Sequence, residues 1–71
     1  MDLSFGEFVK SLRKANDDMT LKQLADKAGM TFVEISNIEK GKHKPRPSTI
    51  RKLATALNYS YSELYDAAQK K

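Results

Sequence analysis

The sequence predicts an all-α domain built from five short helices. Apolar residues recur at helical spacing in four segments, and the helix-start pattern S/T-x-x-E/Q occurs before four helices. The alternation of apolar and polar residues that is typical of strands does not occur. A chain of 71 residues is too short for two hydrophobic cores, so residues 1–71 are expected to form a single domain.

The predicted first helix covers residues 4–15. Its apolar face consists of Phe5, Phe8, Val9 and Leu12. Ser4 and Glu7 form a capping box, in which each side chain accepts a hydrogen bond from the other residue's backbone amide. The helix is expected to end at Asn16-Asp17-Asp18, a run of residues that favour turns.

The predicted second helix covers residues 20–28. Its apolar face consists of Leu21, Leu24, Ala25 and Ala28. Thr20 and Gln23 supply a capping box at its start, and Gly29 supplies a stop signal at its end.

The predicted third helix covers residues 31–40, from the capping box of Thr31 and Glu34 to the stop signal of Gly41. The residues that can face inward are Phe32, Ile35 and Ile38. Ser36 and Glu39 stand where the helical pattern would be apolar. One side of this helix is therefore left free for another task.

Residues 48–57 and 60–69 are predicted to form the fourth and fifth helices, separated by Asn58 as a stop signal. Their apolar faces consist of Ile50, Leu53, Ala54 and Leu57, and of Tyr61, Leu64, Tyr65 and Ala68. Ser60 and Glu63 supply the last capping box. The segment from Gly41 to Pro47 is a stiff connector, because its two prolines restrict the backbone.

Positive charge is concentrated in one segment of the chain. Residues 40–52 carry six basic side chains and no acidic one, whereas residues 1–39 carry five basic and seven acidic side chains. Such a run is often only a solvated loop. Because this basic run lies directly beside the third helix, a polyanion such as DNA is the expected partner. His43, in this loop, is expected to lie near phosphate rather than to bind a metal.

Only Gly29, Met30 and Thr31 separate the second and third helices, and a sharp turn of this kind is typical of a helix-turn-helix. In this motif the second helix enters the DNA major groove with its N-terminal part towards the bases. The first helix of the motif crosses the phosphate backbone.

The candidate DNA-binding residues fall into two groups. Those expected to face the groove from the third helix are Thr31, Phe32, Val33, Ser36, Asn37 and Lys40. Asn37 is the sharpest candidate for reading a base, because its amide can both donate to and accept from adenine. Val33 could contact a thymine methyl group.

The second group is expected to bind phosphates. Lys40, at the end of the third helix, and Lys42 and Lys44, just after it, can neutralise phosphates beside the groove. Thr20 begins the second helix, whose free amides could accept a phosphate with Lys22 close by.

These segments resemble the Xre family, the helix-turn-helix family of the lambdoid phage repressors and Cro. The resemblance rests on MTLKQLADKAGMT at 19–31 and ISNIEKG at 35–41, and it extends over nearly the whole chain. It implies a five-helix, lambda-repressor-like domain that binds operator DNA, usually as a homodimer, to regulate transcription. It also implies an ion pair between Arg13 and Glu39, which would tie the first helix to the third.

The sequence departs from the family pattern at three positions. Many members have glutamine where this chain has Leu21, and polar residues where it has Phe32 and Val33. Leu21 fits the apolar face and is expected to pack. Phe32 either packs beneath the turn or lies against a thymine methyl group, and packing is the favoured alternative.

Other classes of function have weaker support in the sequence. No nucleophile, base and orienting group converge in the sequence, so neither an enzyme nor a cofactor or metal site is expected. A cytoplasmic protein is expected. The alternative function is a protein-interaction module, such as an antitoxin-type component, with DNA binding secondary or absent. Tyr59, Tyr61 and Tyr65 near the C-terminus are expected to serve the core or a dimer contact.

Overall fold

A computed structural model describes residues 4–42 and 44–69. Within these ranges the chain forms helices and no strands. The helices are α1 (Phe5–Ala15), α2 (Leu21–Ala28), α3 (Phe32–Glu39), α4 (Pro47–Leu57) and α5 (Tyr61–Gln69). The predicted five-helix, all-α fold is confirmed. The prediction for His43 falls outside the described residues.

Capping boxes begin the first three helices, as predicted. Ser4, Thr20 and Thr31 each accept a hydrogen bond from a backbone amide three residues later, and each amide of the cap residue donates back to the Glu or Gln side chain. At α5, the Glu63 amide donates to Ser60 Oγ at 3.4 Å. These bonds satisfy amides that have no partner inside the helix, which explains why the helices begin where they do.

The fourth helix begins one residue before its predicted start. Pro47 is its first helical residue, and Arg46 caps it without a side-chain hydrogen bond. Proline suits the first helical position, because its missing N–H would have no partner there and its φ is already helical.

Three helices end in the same arrangement of backbone hydrogen bonds. After α2, Gly29 has φ 67° and the next amide, of Met30, donates to Ala25 O at 2.9 Å. Gly41 (φ 77°) and Asn58 (φ 54°) occupy the equivalent positions after α3 and α4. A left-handed residue reverses the chain and satisfies the last carbonyl groups. The predicted stop signals are confirmed.

The core lies where the five helices meet. Its most deeply buried side chains are Val9, Leu24, Ile35, Ile50, Leu53 and Leu64. α3 packs against α1 and α2, while α4 packs against α2 and α5. Phe8 and Tyr59 close one side of the core with an edge-to-face contact, their ring centroids 5.8 Å apart. None of the helices in the described part of the chain has the length and apolar character needed to cross a bilayer.

α1 and α3 approach each other closely at Gly6. A Cβ atom at this position would collide with the carbonyl oxygens of Ile38 and Glu39. Only glycine allows α1 to lie directly on the C-terminal end of α3. This contact fixes α3 on the side that faces α1 and leaves its opposite side free.

Candidate nucleic-acid interface

α2 and α3 form the predicted helix-turn-helix. Three residues separate them, and the turn is stabilised by the left-handed Gly29 together with the capping box of Thr31. Met30, inside the turn, packs against the hydrophobic core. Backbone hydrogen bonds and one partly buried side chain therefore stabilise the turn between the two helices.

α3 has one buried side and one exposed side. Ile35 and Ile38 face the core, with 0% and 6% of their surface exposed. A helix turns by about 100° per residue, so Val33 and Lys40 lie roughly opposite these two isoleucines. Ser36 flanks Val33 and Lys40 on one side, and Asn37 flanks them on the other. Val33 is 63% exposed, while Ser36 and Asn37 are half-buried. We call Val33, Ser36, Asn37 and Lys40 the outer face of α3.

The prediction that Phe32 packs beneath the turn is wrong. Its side chain is 51% exposed. The physical reason is its angular position, about 90° from the mean direction of Ile35 and Ile38. The turn residue that packs against the core is Met30, which is partly buried. Phe32 therefore extends the outer face at the first turn of α3. Leu21, in contrast, packs against the core as predicted.

A shallow groove borders the outer face on the side of α1 and α2. Ser36 and Lys40 line it together with Leu21 and Lys10. The groove therefore extends from Ser36 and Lys40, two predicted site residues, to Leu21 at the N-terminal end of α2. Lys10 adds a positive charge that the sequence analysis missed.

A second groove borders the outer face on the side of α4. Asn37 and Lys44 line it together with Arg46, Ser48 and Thr49. The connector is held here by the Lys42 amide, which donates to Asn37 O at 2.9 Å. The groove therefore contains the Asn37 amide together with cationic and hydroxyl side chains and the Glu34 carboxylate.

Sequence reasoning missed Lys10, Arg46, Ser48 and Thr49 as parts of this surface. Arg46 belongs to the basic run, and that signal could have included it among the candidates. No sequence pattern around Lys10 indicates a place in this surface, because its proximity to α3 depends on how α1 packs against α3.

Thr20 and Thr31 are engaged in helix caps. Thr20 Oγ1 accepts from the Gln23 amide at 3.1 Å, and Thr31 Oγ1 accepts from the Glu34 amide at 3.1 Å. At the start of α2 the cap occupies the amides of Thr20 and Gln23. The amides of Leu21 and Lys22 are left as the candidates for an anion, and Lys22 is exposed beside them.

The acidic side chains nearest to the outer face are already partnered. The Glu34 carboxylate accepts from the Thr31 amide at 2.9 Å and lies 3.1 Å from the Thr31 hydroxyl. These two hydrogen bonds, together with the positive charge of Lys52, lower the pKa of Glu34. Glu39 pairs with Arg13. In the described part of the chain, no three His, Cys, Asp or Glu side chains come together as a possible metal site.

The predicted ion pair between Arg13 and Glu39 is confirmed. Arg13 Nε lies 2.8 Å from Glu39 Oε2, and the two side chains are only 9% and 8% exposed. Arg13 also donates to Met19 O, at 2.6 Å, just before α2. One side chain thereby connects α1, the last residue of α3 and the approach to α2.

A family model described as helix-turn-helix matches residues 9–64, which include α2, the turn and α3. The chain belongs to this helix-turn-helix family. The resemblance to the Xre-like regulators is thereby confirmed.

Curated relatives of this helix-turn-helix domain carry regulator names. It is 45% identical over 62 residues to the HTH-type transcriptional repressor RghR of Bacillus subtilis, covering 86% of this chain and 45% of that protein. It is 43% identical over 65 residues to the uncharacterized HTH-type transcriptional regulator RghRB of the same organism, covering 90% of this chain and 46% of that protein. An uncharacterized HTH-type transcriptional regulator of Mycobacterium tuberculosis is 32% identical over 60 residues, covering 84% of this chain and 42% of that protein.

The chain spans about half the length of the curated relatives it matches. It is a helix-turn-helix domain of the kind found in transcriptional regulators.

Proposed function

We propose that this chain binds double-stranded operator DNA with α3 in the major groove and thereby regulates transcription. The observation that carries the proposal is the exposed outer face of α3 between two grooves that contain cations. A helix of this motif fits the major groove, and cations on both sides of it meet the two phosphate strands that border the groove.

Asn37 is the proposed base-reading residue. It lies on the outer face one turn after the start of α3, and its groove also contains Lys44 and Arg46. Its amide can make two hydrogen bonds with the major-groove edge of adenine. Ser36, on the other edge of the outer face, can hydrogen-bond to a neighbouring base or phosphate.

The phosphate contacts are assigned to cations around α3. Lys40, Lys42 and Lys44 are exposed at its C-terminal end, and Lys10 and Arg46 line the two grooves. The amides of Leu21 and Lys22, with the Lys22 side chain, form a further phosphate contact at the start of α2. The Thr20 and Thr31 side chains act by holding the helix starts in place.

The proposed binding unit is a homodimer in the cytoplasm. A twofold dimer presents two copies of α3 to an operator with two half-sites. On α5, Tyr65 is 40% exposed and stacks on Tyr61 at a centroid distance of 5.8 Å. This exposed aromatic surface supports a contact with a second subunit.

A protein-interaction module is the second candidate function. Its support is the apolar exposure of Phe32 and Val33 at the first turn of α3. Such a module would bind a protein partner through this turn, and its affinity for DNA would be weak and independent of sequence.

Selection of bound duplexes from a random DNA pool, at physiological salt, tests the proposal. Enrichment of an inverted repeat is expected, because nonspecific binding is weak at this salt concentration. With about four phosphates neutralised per subunit, a plot of log affinity against log salt should have a slope near −3.6 per subunit. No enrichment and no salt-dependent binding would overturn DNA binding and favour the second candidate.

A further inference from the structure

A groove between α2 and α4 lies outside the proposed DNA-binding surface. The residues that line it are Lys27, Ala28, Ser48, Arg51, Lys52 and Thr55. Among the described residues, none from α3 or from the connector before α4 contributes to it. Lys27 stands six residues after Leu21, so the groove lies about 9 Å along α2 from the end that is assigned to phosphate. We call this surface the α2–α4 groove.

The α2–α4 groove combines cations with apolar surface. Lys27, Arg51 and Lys52 are exposed, yet the accessible lining of the groove is mainly carbon. Lysine and arginine side chains present methylene stems below their charged ends. Such a lining can bury apolar groups of a partner while the cations remain at its borders.

The positive charge of the groove is not neutralised by the described residues. The ion pair found among them joins Arg13 to Glu39 and involves no cation of the groove. Lys52 acts on the Glu34 carboxylate, but that carboxylate is already hydrogen-bonded to Thr31. The groove therefore favours a partner that carries negative charge.

Arg51 is held in position by an aromatic ring. Its guanidinium carbon lies 5.2 Å from the ring centroid of Tyr61, the distance of a cation–π contact. A guanidinium that is already positioned loses less side-chain freedom when it binds, and its planar fork matches a carboxylate. Carboxylates together with apolar side chains occur in acidic protein segments, whereas a phosphate strand offers no apolar groups to the lining.

We infer that the α2–α4 groove binds an acidic, amphipathic segment of another protein. Its carboxylates pair with Lys27, Arg51 and Lys52, and its apolar side chains lie against the carbon surface between them. Ser48 lines both this groove and the groove beside Asn37, so the bound segment lies next to the DNA-binding surface. Simultaneous binding of DNA and the segment rests on the proposed function, but binding of the segment alone does not.

Selection from a displayed library of random peptides supplies the probe. Enriched peptides are expected to combine aspartate or glutamate with apolar residues, and the affinity of the most enriched one should fall as salt is added. Fluorescence anisotropy with this peptide should show a loss of about two- to fivefold in Lys27→Ala and in Arg51→Ala. Arg51→Glu should cause a larger loss, because it places like charges together.

Lys22→Ala is the matched control, since Lys22 is an exposed lysine at the opposite end of α2. Lys22→Ala should weaken duplex binding and leave the peptide affinity unchanged, whereas Lys27→Ala should do the reverse. Both side chains are exposed, so thermal melting of the two variants should match that of the unmodified chain.

Several results would overturn the inference. One is a selection that enriches no peptide, or peptides without an excess of acidic residues. A peptide affinity that Lys27→Ala and Arg51→Ala leave unchanged would place the binding elsewhere, for example at the first turn of α3. Equal losses of duplex affinity in Lys27→Ala and Lys22→Ala would assign the groove to DNA.

Two further measurements separate the remaining explanations. Sedimentation of the Arg51→Glu variant should show the oligomeric state of the unmodified chain, and dissociation of a dimer would assign the groove to a second copy and overturn the inference. Failure of the unmodified chain to bind any duplex, with peptide binding retained, would contradict the proposed function and support the groove as a protein-binding site.

Discussion

The guanidinium of Arg13 holds the carboxylate of Glu39 with two hydrogen bonds, from Nε to Oε2 at 2.8 Å and from Nη2 to Oε1 at 3.1 Å. The third nitrogen, Nη1, donates to the carbonyl oxygen of Met19. The planar fork of arginine matches this arrangement, which the ammonium group of lysine cannot reproduce. Arg13 therefore fixes α3 relative to α1 and to the start of the helix-turn-helix.

Replacement of Arg13 by alanine is expected to lower the free energy of unfolding by about 3–5 kcal/mol, because it leaves the Glu39 carboxylate buried without a partner. Urea denaturation measures the loss. The exposed Lys14, next in the chain, is the matched control, and Lys14→Ala should change stability by less than about 0.5 kcal/mol. Equal stability of the two variants would contradict a structural role for the ion pair.

Gly6→Ala is expected to destabilise the fold by about 1–3 kcal/mol through overpacking. Alanine usually stabilises a helix interior relative to glycine, by roughly 0.5–1 kcal/mol. The sign should be reversed here, because the new methyl group would meet the carbonyl oxygens of Ile38 and Glu39. Thermal unfolding compares Gly6→Ala with Ser11→Ala, an exposed position of the same helix. A stabilised Gly6→Ala variant would show that α1 and α3 do not pack this closely.

Asn37→Ala is expected to reduce discrimination between operator and unrelated DNA by about 1–3 kcal/mol, with little change in nonspecific affinity. Competition binding with operator and scrambled duplexes measures both quantities. If the preference for operator remained intact, the base-reading residue would have to be sought elsewhere on α3.

Lys42→Ala should behave differently. It is expected to weaken binding to all duplexes alike and to reduce the salt slope by about one. The control is Lys14→Ala, beside the acidic turn after α1, which should leave both the affinity and the slope unchanged. A sequence-dependent effect of Lys42→Ala would contradict a pure phosphate contact.

The Glu34 carboxylate should make stability depend on pH. Its hydrogen bonds to Thr31 lower its pKa in the folded state, so the unfolded chain binds this proton more readily. Its contribution is present above the ordinary glutamate pKa of about 4.3 and is lost as the pH falls through the lowered pKa. The stability advantage over Glu34→Gln, measured by urea denaturation at a series of pH values, should therefore shrink in acid. An advantage that stayed constant with pH would contradict this role.

Asn58 ends α4 in the left-handed conformation, with φ 54° and ψ 49°. Alanine at this position is expected to be about 1 kcal/mol less stable than glycine, because its Cβ atom disfavours this backbone conformation. The same two substitutions at Thr55, an exposed residue inside α4, should show the opposite order. Melting temperatures of the four variants test both statements. The same order at both positions would argue against the left-handed helix end.

The local features of this fold could be predicted from the sequence. Ser4, Thr20 and Thr31 cap their helices through hydrogen bonds that span three residues, and Gly29 and Gly41 end helices through bonds that span five or fewer. Such bonds depend on residue type and spacing alone. The number of helices, their boundaries to within one or two residues and the helix-turn-helix follow from them.

The candidate surface was only partly predictable. The outer face of α3 follows from helical spacing, which places Val33, Ser36 and Asn37 away from Ile35 and Ile38. Phe32 lies between the two sides, and helical spacing alone does not decide whether it is buried. In the folded chain Met30 packs against the core from the turn, and Phe32 is 51% exposed.

By itself, the sequence determined the helices and the side of α3 that is free. Both features depend on residues that are close together in the chain, through hydrogen bonds within one turn and through helical spacing. Only the tertiary structure decided that Lys10 and Arg46 flank that side, that Arg13 also binds Met19 O, and that Gly6 lies on the end of α3. These contacts join residues that are distant in the chain, and they depend on how whole helices pack against one another.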